Sequence, residues 1–328
     1  MAKRAPCIML LALLLALLSF AVALKNGSYD LEWGELLSVL KQGVIGKQEG
    51  VAAEIVWQLR LPRAVAGFAC GGLLAIAGAL MQVLLRNPLA DPYVLGISGG
   101  AGVGALLAML AGLSAAWLGG AALAGALCSM LLVFALAHGR GGWTQTRLLL
   151  TGVIMASAAS AVITLILSLA PQTQLKGMLF WLMGDLSQSN MPGLALVILF
   201  VLFLFVMPLA RDLNLLARGR ELASALGVAT KKVTLIIYLI ASLATATVVT
   251  QAGAIGFVGL IVPHLVRLLI GNDQRLLLPT AVLTGGALLT TADTLARYLF
   301  VPQQLPVGVL TALIGAPLFL FLLFQQKV

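Results

Sequence analysis

The stretch LALVILFVLFLFVMPL (residues 194–209) is followed, after a short connection, by RGRELASALGVATKK (218–232), and a long apolar run resumes at Val233. The first stretch approaches the ~20 mostly apolar residues that a helix needs to cross a bilayer. The second carries five charged residues in fifteen. Long apolar runs that alternate with short charged segments are typical of a chain that crosses a membrane several times.

The composition of the whole chain supports this interpretation. Of its 328 residues, 61% are hydrophobic and 9% are charged. In soluble domains, roughly 45–50% of the residues are apolar and about 25% are charged. The net charge of +9 would suit nucleic acid, but the basic residues lie in short loops between apolar runs and form no stripe interleaved with aromatic residues. We therefore predict an all-α polytopic membrane protein that contacts lipid and binds no nucleic acid.

Ten apolar segments qualify as membrane spans. They are 6–24, 64–84, 94–110, 117–137, 148–169, 192–209, 233–251, 257–270, 278–296 and 305–324. The third and the eighth are short or interrupted by glycine. The first resembles a signal peptide, because Lys3 and Arg4 precede it and Ala21-Val22-Ala23 near its end resembles a cleavage site, but its apolar run is long for a signal peptide and we expect it to be retained.

The distribution of charge predicts the orientation. With the N-terminus in the cytoplasm, thirteen of the 20 lysines and arginines lie on the inner side, in agreement with the positive-inside rule. Both termini are then cytoplasmic, and the charged loop at about 211–232 faces the cytoplasm. Residues 1–328 are expected to form one transmembrane domain.

The charged loop contains a short predicted helix. Leu222, Ala225 and Leu226 recur at helical spacing, Glu221 suits the first turn, and Gly227 follows as a C-cap glycine would. A helix this short is marginal alone in water, so its apolar face requires a cover. That cover is either the membrane surface or a partner protein.

Several long motifs resemble the permease subunits of FecCD-type ABC importers, which take up iron–siderophore complexes, haem and vitamin B12. The motifs are ELASALGV, RLPRAVAGFACGGLLAIAGALMQVLLRNPLADPYVLGISGGAGVG (60–104), RLLLTGV (147–153), GAIGFVGLIVPHLVRLL (253–269), ADTLAR (292–297) and LPVGVLTALIGAPLF (305–319). The resemblance implies a ten-helix type II importer permease in the bacterial cytoplasmic (inner) membrane. It also implies a second permease copy, giving a homodimer, with two cytoplasmic ATPase subunits and an external (periplasmic) binding protein. The cargo would be an iron chelate (siderophore or haem) or a B12-like corrinoid.

The same resemblance suggests roles for particular residues. The short helix would be the coupling helix that docks in an ATPase groove, through Glu221, Leu222, Ala225, Leu226 and Gly227. On the outer side, Arg60, Arg63 and Arg297 would face carboxylates of the binding protein; the alternative is that they only snorkel to the lipid headgroups. In the loop WTQTR (143–147), Gln145 and Thr146 match the cytoplasmic gate of the pore, with an ordinary polar loop as the alternative.

Other polar residues within the spans have structural interpretations. Pro263 interrupts a helical segment and is a candidate hinge, and His264 beside it is expected to pack in the interior. Asp293 and Arg297 lie four residues apart, so a helix would place them on one face as an ion pair. Asp91 is expected to cap the turn that follows the second span.

The sequence argues against catalysis and against cofactor or metal binding by this chain. It contains no G-x-x-x-x-G-K-[ST] phosphate loop, so ATP hydrolysis is expected on a separate subunit. The three cysteines lie in apolar runs without a CxxC pair, and we expect neither a disulfide nor a metal site. Two other functions stay open: an ion-coupled secondary transporter, which usually needs ionisable residues at the midplane, and an intramembrane serine protease that uses Ser98 and His264.

Overall fold

The computed structural model describes residues 5–27, 29–44, 50–137, 144–189, 191–299 and 303–325; His138 and Trp143 lie outside these ranges. The regular structure within the described residues is helical. The helices are α1 (Ala5–Lys25), α2 (Trp33–Val44), α3 (Val51–Glu54), α4 (Leu61–Leu84), α5 (Ile97–Leu110), α6 (Ala115–Ala137), α7 (Gln145–Leu169), α8 (Gln172–Met183), α9 (Pro192–Val206), α10 (Ala210–Arg218), α11 (Arg220–Ala225), α12 (Thr230–Ala252), α13 (Val258–Ile270), α14 (Gln274–Tyr298) and α15 (Val307–Gln325). A π-helical segment, Ile55–Arg60, joins α3 to α4.

The ten predicted spans all coincide with apolar helices. Among the described residues, seven helical segments are long and apolar enough to cross a membrane, and three apolar helices are shorter, namely Ile97–Leu110, Val258–Ile270 and Val307–Leu322. The first two of these correspond to the spans predicted to be short. The structure thus confirms an all-α polytopic membrane protein.

Among the helices that lie outside the spans, α2 and α8 were not predicted. The helix α2 is amphipathic, and with Leu31, Ala53 and Val56 it builds a small apolar cluster of its own beside the end of α1. The helix α8 begins after Pro171 and contains Lys176. Both are twelve residues long, too short to be recognised by a search for segments of spanning length.

The helix α4 forms the centre of the molecule. Nearly all of its residues are buried, and it packs against α9, α12, α13 and α14. A Cβ atom added to Gly78 would lie 1.7 Å from the carbonyl oxygen of Gly259. Glycines of α4 therefore bring backbone against backbone, as expected where small residues replace the hydrophobic drive between helices in lipid.

The helix α7 has the opposite character. Only 17% of its most apolar window is buried within the chain. It packs on α5 and α6 and leaves most of its surface uncovered. The rest of this chain does not cover α7, so its uncovered face is available to contact another molecule.

Candidate functional site

A charged cluster joins the start of α4 to the end of α14, on the predicted outer side. The Arg63 guanidinium donates from Nε and Nη2 to both carboxylate oxygens of Asp293 at 2.9–3.1 Å. Arg297 Nε lies 3.2 Å from Asp293 Oδ2, which confirms the predicted ion pair within α14. Asp293 is only 2% exposed, so this acid is buried with two cationic partners, as a carboxylate at such a site requires.

Two further residues complete this outer cluster. Arg63 Nη2 lies 3.5 Å from Oδ1 of Asp185, in the turn after α8. Arg63 Nη1 donates to Gln304 Oε1 at 3.0 Å, in the connection before α15. One arginine thereby contacts three other parts of the chain. We refer to Arg63, Asp185, Asp293, Arg297 and Gln304 as the outer cluster.

Arg60 has a different environment from the one expected. It is 3% exposed, and its guanidinium donates to the carbonyl oxygens of Leu24 at 2.8 Å and Lys25 at 2.6 Å, and to that of Tyr29. The last carbonyls of a helix have no partner within the helix, and Arg60 satisfies those at the end of α1. The guanidinium of Arg60 is thus committed to this end of α1, and its expected contact with a binding protein stays a prediction.

An open cleft of about 610 Å³ lies over the outer cluster. Its walls come from the connection after α1, the start of α4, the turn after α8 and the end of α14. Arg63 and Arg297 both line it. Arg60 lines the cleft as well, but its guanidinium is bonded to the end of α1, whereas Arg63 and Arg297 are paired with carboxylates.

On the predicted cytoplasmic side, α11 is held to the chain by one face and exposes the other. Ala223 and Val228 are buried, whereas Leu222 is 47% exposed and Leu226 is 53% exposed. Glu221 and Ala225 are exposed beside these leucines. The predicted short helix exists, and Leu222 and Leu226 point away from the fold.

The end of α11 has the predicted cap. Gly227 has a φ of +83°, a conformation that glycine adopts without steric cost. Its N–H donates to the Ser224 carbonyl, and the N–H of Val228 donates to the Ala223 carbonyl, both at 3.0 Å. This pair of hydrogen bonds is the Schellman arrangement, and it fixes where the chain leaves the helix.

The preceding helix, α10, is anchored to the turn before α14. Asn214 Nδ2 donates to Asp273 Oδ1 at 2.8 Å, and the N–H of Gln274 donates to Asn214 Oδ1 at 2.9 Å. The Asn214 hydrogen bond lowers the pKa of the Asp273 carboxyl below its ordinary value. Since α11 packs on α10, the exposed leucines stand on a fixed base.

The predicted gate residues lie close to α11. Gln145 Nε2 donates to the carbonyl oxygen of Leu84, at the end of α4, at 2.9 Å, and Arg86 Nη2 donates to Gln145 Oε1 at 3.3 Å. A cavity of about 260 Å³ is lined by Gln145, Thr146 and Arg86 together with Arg220, the first residue of α11. The structure thus brings the predicted gate residues next to the start of α11, while the role of Gln145 and Thr146 as a gate stays a prediction.

A stripe of hydroxyl groups on α7 was missed by the sequence analysis. Ser157, Ser160, Thr164 and Ser168 follow one another at intervals of three and four residues, and all are exposed. This spacing places them on one face of the helix. Within the helix, Thr164 Oγ1 donates to the Ser160 carbonyl and Ser168 Oγ to the Leu165 carbonyl. Polar groups within a membrane still normally face protein or a water-filled cavity, so we expect this face to be covered or wet.

Two members of the stripe, Ser157 and Ser160, line an open cavity of about 780 Å³ together with Asp91, Tyr93 and Phe257. Asp91 Oδ1 accepts from the N–H of Tyr93 at 2.7 Å, so the predicted capping role is confirmed. Tyr93 Oη in turn accepts from the N–H of Ile255 at 3.1 Å. Burial raises the pKa of the Asp91 carboxyl to about 6.

The predicted hinge lies in the interior. Pro263 is within α13, and His264 is 3% exposed, with its ring 6.4 Å from that of Phe319 and edge-on to it. These positions agree with the packing role expected for His264. Within the described part of the chain, no group of three histidine, cysteine, aspartate or glutamate side chains is placed to hold a metal ion.

Comparison with known proteins agrees with the motifs. The sequence model of the FecCD transport family matches residues 13–325. The cobalamin import system permease protein BtuC of Halobacterium salinarum is 44% identical over 280 residues, which cover 84% of this chain and 75% of that protein. The hemin transport system permease protein HmuU of Yersinia pestis is 40% identical over 283 residues, which cover 83% of this chain and 84% of that protein.

A solved structure extends the agreement to the fold. A metal-chelate type ABC transporter in an inward-facing conformation superposes with a TM-score of 0.83 at 32% identity, covering 98% of this chain and 99% of that one. Both the sequence match and the structural match run over nearly the whole chain. This multi-pass membrane protein therefore belongs to the FecCD transport family.

Proposed function

We propose that this permease of an ATP-binding-cassette importer passes a metal-containing macrocycle or chelate from an external binding protein to the cytoplasm. The observation that supports this best is the uncovered hydroxyl stripe on α7. Two copies of the chain, placed with these faces toward each other, would enclose a polar path through the membrane. A path lined by Ser157, Ser160, Thr164 and Ser168 offers hydroxyl groups without fixed charge, which suits passage more than tight binding.

The substrate class follows from this lining and from the relatives. Proteins named for cobalamin import and hemin transport are both about 40% identical to this chain, and both cargoes are metal-centred tetrapyrrole-type rings. A large ring with hydrogen-bonding groups at its edge can be handed along hydroxyl groups by weak contacts. Cobalamin and haem are therefore the first substrates to test, with iron–siderophore complexes next.

The exposed leucines of α11 support an ATPase partner. This chain has no phosphate loop, so an ATP-driven cycle needs a separate motor subunit. Leu222 and Leu226 form an apolar pair on a capped helix, and a short helix laid into an apolar groove is a common mode of recognition. A homodimeric permease would carry two such helices and engage two ATPase subunits.

The outer cluster supports a binding protein that presents carboxylates. Arg63 and Arg297 line the cleft above Asp185 and Asp293. Arginine suits this contact because its planar fork can hold a carboxylate by two hydrogen bonds. Charges at such a rim mainly govern approach and orientation. Arg60 is not part of this proposal, since its guanidinium holds the end of α1.

Reconstitution tests the function directly. The permease, its ATPase and its binding protein would be placed in proteoliposomes, and uptake of labelled cyanocobalamin and of hemin would be measured. We expect uptake that requires ATP and survives collapse of the proton gradient. Uptake that persists without ATP and stops with a protonophore would favour the ion-coupled transporter instead.

A pair of variants tests the path itself. Ser157→Leu combined with Ser160→Leu should reduce uptake while ATP hydrolysis continues, because the path is narrowed and loses two hydroxyl groups. The control is Ala158→Leu, which adds a similar side chain on a different exposed face of the same helix. Equal uptake by the double variant and the control would remove α7 from the path.

A further inference from the structure

The two carboxylates that contact Arg63 are held very differently. Asp293 receives three hydrogen bonds of 2.9–3.1 Å from Arg63, and its side chain is 3% exposed. Asp185 lies 3.5 Å from Nη2 of the same arginine, and its side chain is 14% exposed. The contact to Asp185 is therefore the weaker and more accessible one.

From this asymmetry we infer that Asp185 is a positioning residue that an incoming carboxylate of the binding protein displaces from Arg63, and that this displacement carries the docking event to the ends of α12 and α15. The inference rests on the proposed function. Asp293 keeps Arg63 in place throughout, so the arginine stays presented to the cleft while one of its partners is exchanged.

The backbone around Asp185 is tied to two spans. The N–H of Asp185 donates to the carbonyl oxygen of Ala252, the last residue of α12, at 2.8 Å. The N–H of Gly308, in the first turn of α15, donates to the carbonyl oxygen of Gly184 at 3.2 Å. A movement of the turn after α8 therefore pulls directly on the ends of both helices.

The junction beneath Asp185 has little free space. A Cβ atom on Gly308 would lie 2.1 Å from the carbonyl oxygen of Met183, and one on Gly184 would lie 2.5 Å from that of Ala254. Gly184 also has a φ of +77°. Backbone packed this closely transmits a displacement because it has no gap in which to absorb it.

A simpler role for Asp185 has to be separated from this one. Its Oδ1 accepts from the N–H of Ser187 at 2.9 Å, and Ser187 Oγ also donates to the carboxylate. Asp185 thus caps the short turn that follows it. Asparagine caps such turns about as well as aspartate, so Asp185→Asn removes the charge and keeps the cap. Ser187→Ala weakens the cap and keeps the charge.

The experiment uses the complete transporter in nanodiscs with substrate-free binding protein. The docking rate would be measured by biolayer interferometry, and stimulation of ATP hydrolysis would be expressed relative to the basal rate of each variant. For Asp185→Asn we expect docking about 1.5- to 5-fold faster, the range set by a weak ion pair, together with loss of most of the stimulation. Asp185→Glu should restore stimulation. The control is Glu32→Gln, which removes an exposed acid that lies on the same predicted side but outside the outer cluster. This variant should keep the stimulation of ATP hydrolysis.

The outcomes separate the ideas. Full stimulation in Asp185→Asn overturns the inference, whether docking is faster or not. Loss of stimulation in Ser187→Ala to the same extent also overturns it, because the cap alone would then explain the effect. If the wild-type complex shows neither docking nor stimulation, the proposed function fails and the inference fails with it.

Discussion

Truncating Leu226 to alanine should weaken binding of the ATPase subunit while leaving the permease folded. Leu226 is 53% exposed in the isolated chain, so only about half of its side chain is available for a partner to cover. Full burial of a leucine contributes ~1.5–3 kcal/mol. Covering the exposed half then contributes about 0.8–1.5 kcal/mol, which corresponds to about 4- to 12-fold in the dissociation constant.

The assay is titration of detergent-solubilised permease with purified ATPase subunit, followed by ATP-driven uptake in proteoliposomes. Leu226→Glu should have a larger effect, because it also places a charge in an apolar groove. The matched control is Leu37→Ala: Leu37 is 56% exposed and lies on α2, on the predicted outer side. Exposed substitutions of this kind usually change stability by no more than about 0.5 kcal/mol.

Equal ATPase affinity for wild type, Leu226→Ala and Leu226→Glu, with normal uptake by all three, would refute the coupling role of α11. In that case the exposed leucines of α11 would lie on the membrane surface, the alternative that the sequence leaves open. A loss of affinity equal in Leu37→Ala and Leu226→Ala would also contradict the assignment, since these side chains are predicted to lie on opposite sides of the membrane.

Three further predictions follow from local geometry. Gly227→Ala should weaken ATPase binding by up to about 30-fold, because alanine at φ +83° costs about 1–2 kcal/mol and the end of α11 can relax from this conformation in the free permease but not in a partner groove; Gly34→Ala, which meets no neighbouring atom, is the control, and titration is the measurement. Gly78→Ala should lower the melting temperature strongly, because its Cβ would lie 1.7 Å from the Gly259 backbone. The control is Gly119→Ala, whose Cβ would have no neighbouring atom within 4 Å; equal melting temperatures for the two variants would contradict the packing. The pKa of Asp91 is raised from 3.8 to about 6 in the folded state, so the folded chain binds this proton more tightly than the unfolded chain does. Ionisation of the carboxyl therefore destabilises the fold increasingly between about pH 4 and 6. Asp91→Asn should then be more stable than wild type at about pH 7, by about 1–3 kcal/mol, and no more stable below about pH 4, as measured by denaturation across pH.

The spans and the short cytoplasmic helix could be predicted because their signals are local. A run of apolar residues identifies a helix in lipid without reference to the rest of the chain. The apolar spacing of Leu222 and Leu226 and the glycine at 227 likewise depend only on adjacent residues. The hydroxyl stripe on α7 is local too, since its four members recur at helical intervals, but a search for apolar spans averages over such a pattern.

The outer cluster depends on contacts that no local pattern reveals. Arg63 and Asp293 are separated by 230 positions, and Arg60 lies 35 positions from Lys25. Arginines on the outer side run against the positive-inside bias and therefore needed an explanation, but this bias could not distinguish a docking surface from a helix cap. Only the packing of α1, α4 and α14 decides that Arg60 bonds to the end of α1 while Arg63 pairs with Asp293.

The two ends of the molecule are linked through one helix. Arg63 stands in the first turn of α4, and the carbonyl oxygen of Leu84 at its last residue accepts from Gln145. Between them, α4 has no room to slide, because Gly71 and Gly78 bring its backbone against α14 and α13. A cycle that opens the path alternately to each side therefore requires α4 to move together with its packed neighbours, while the weakly covered α7 changes its contacts. If two copies meet through α7, as proposed, the face of α7 that the fold leaves uncovered is the surface along which they would move relative to each other.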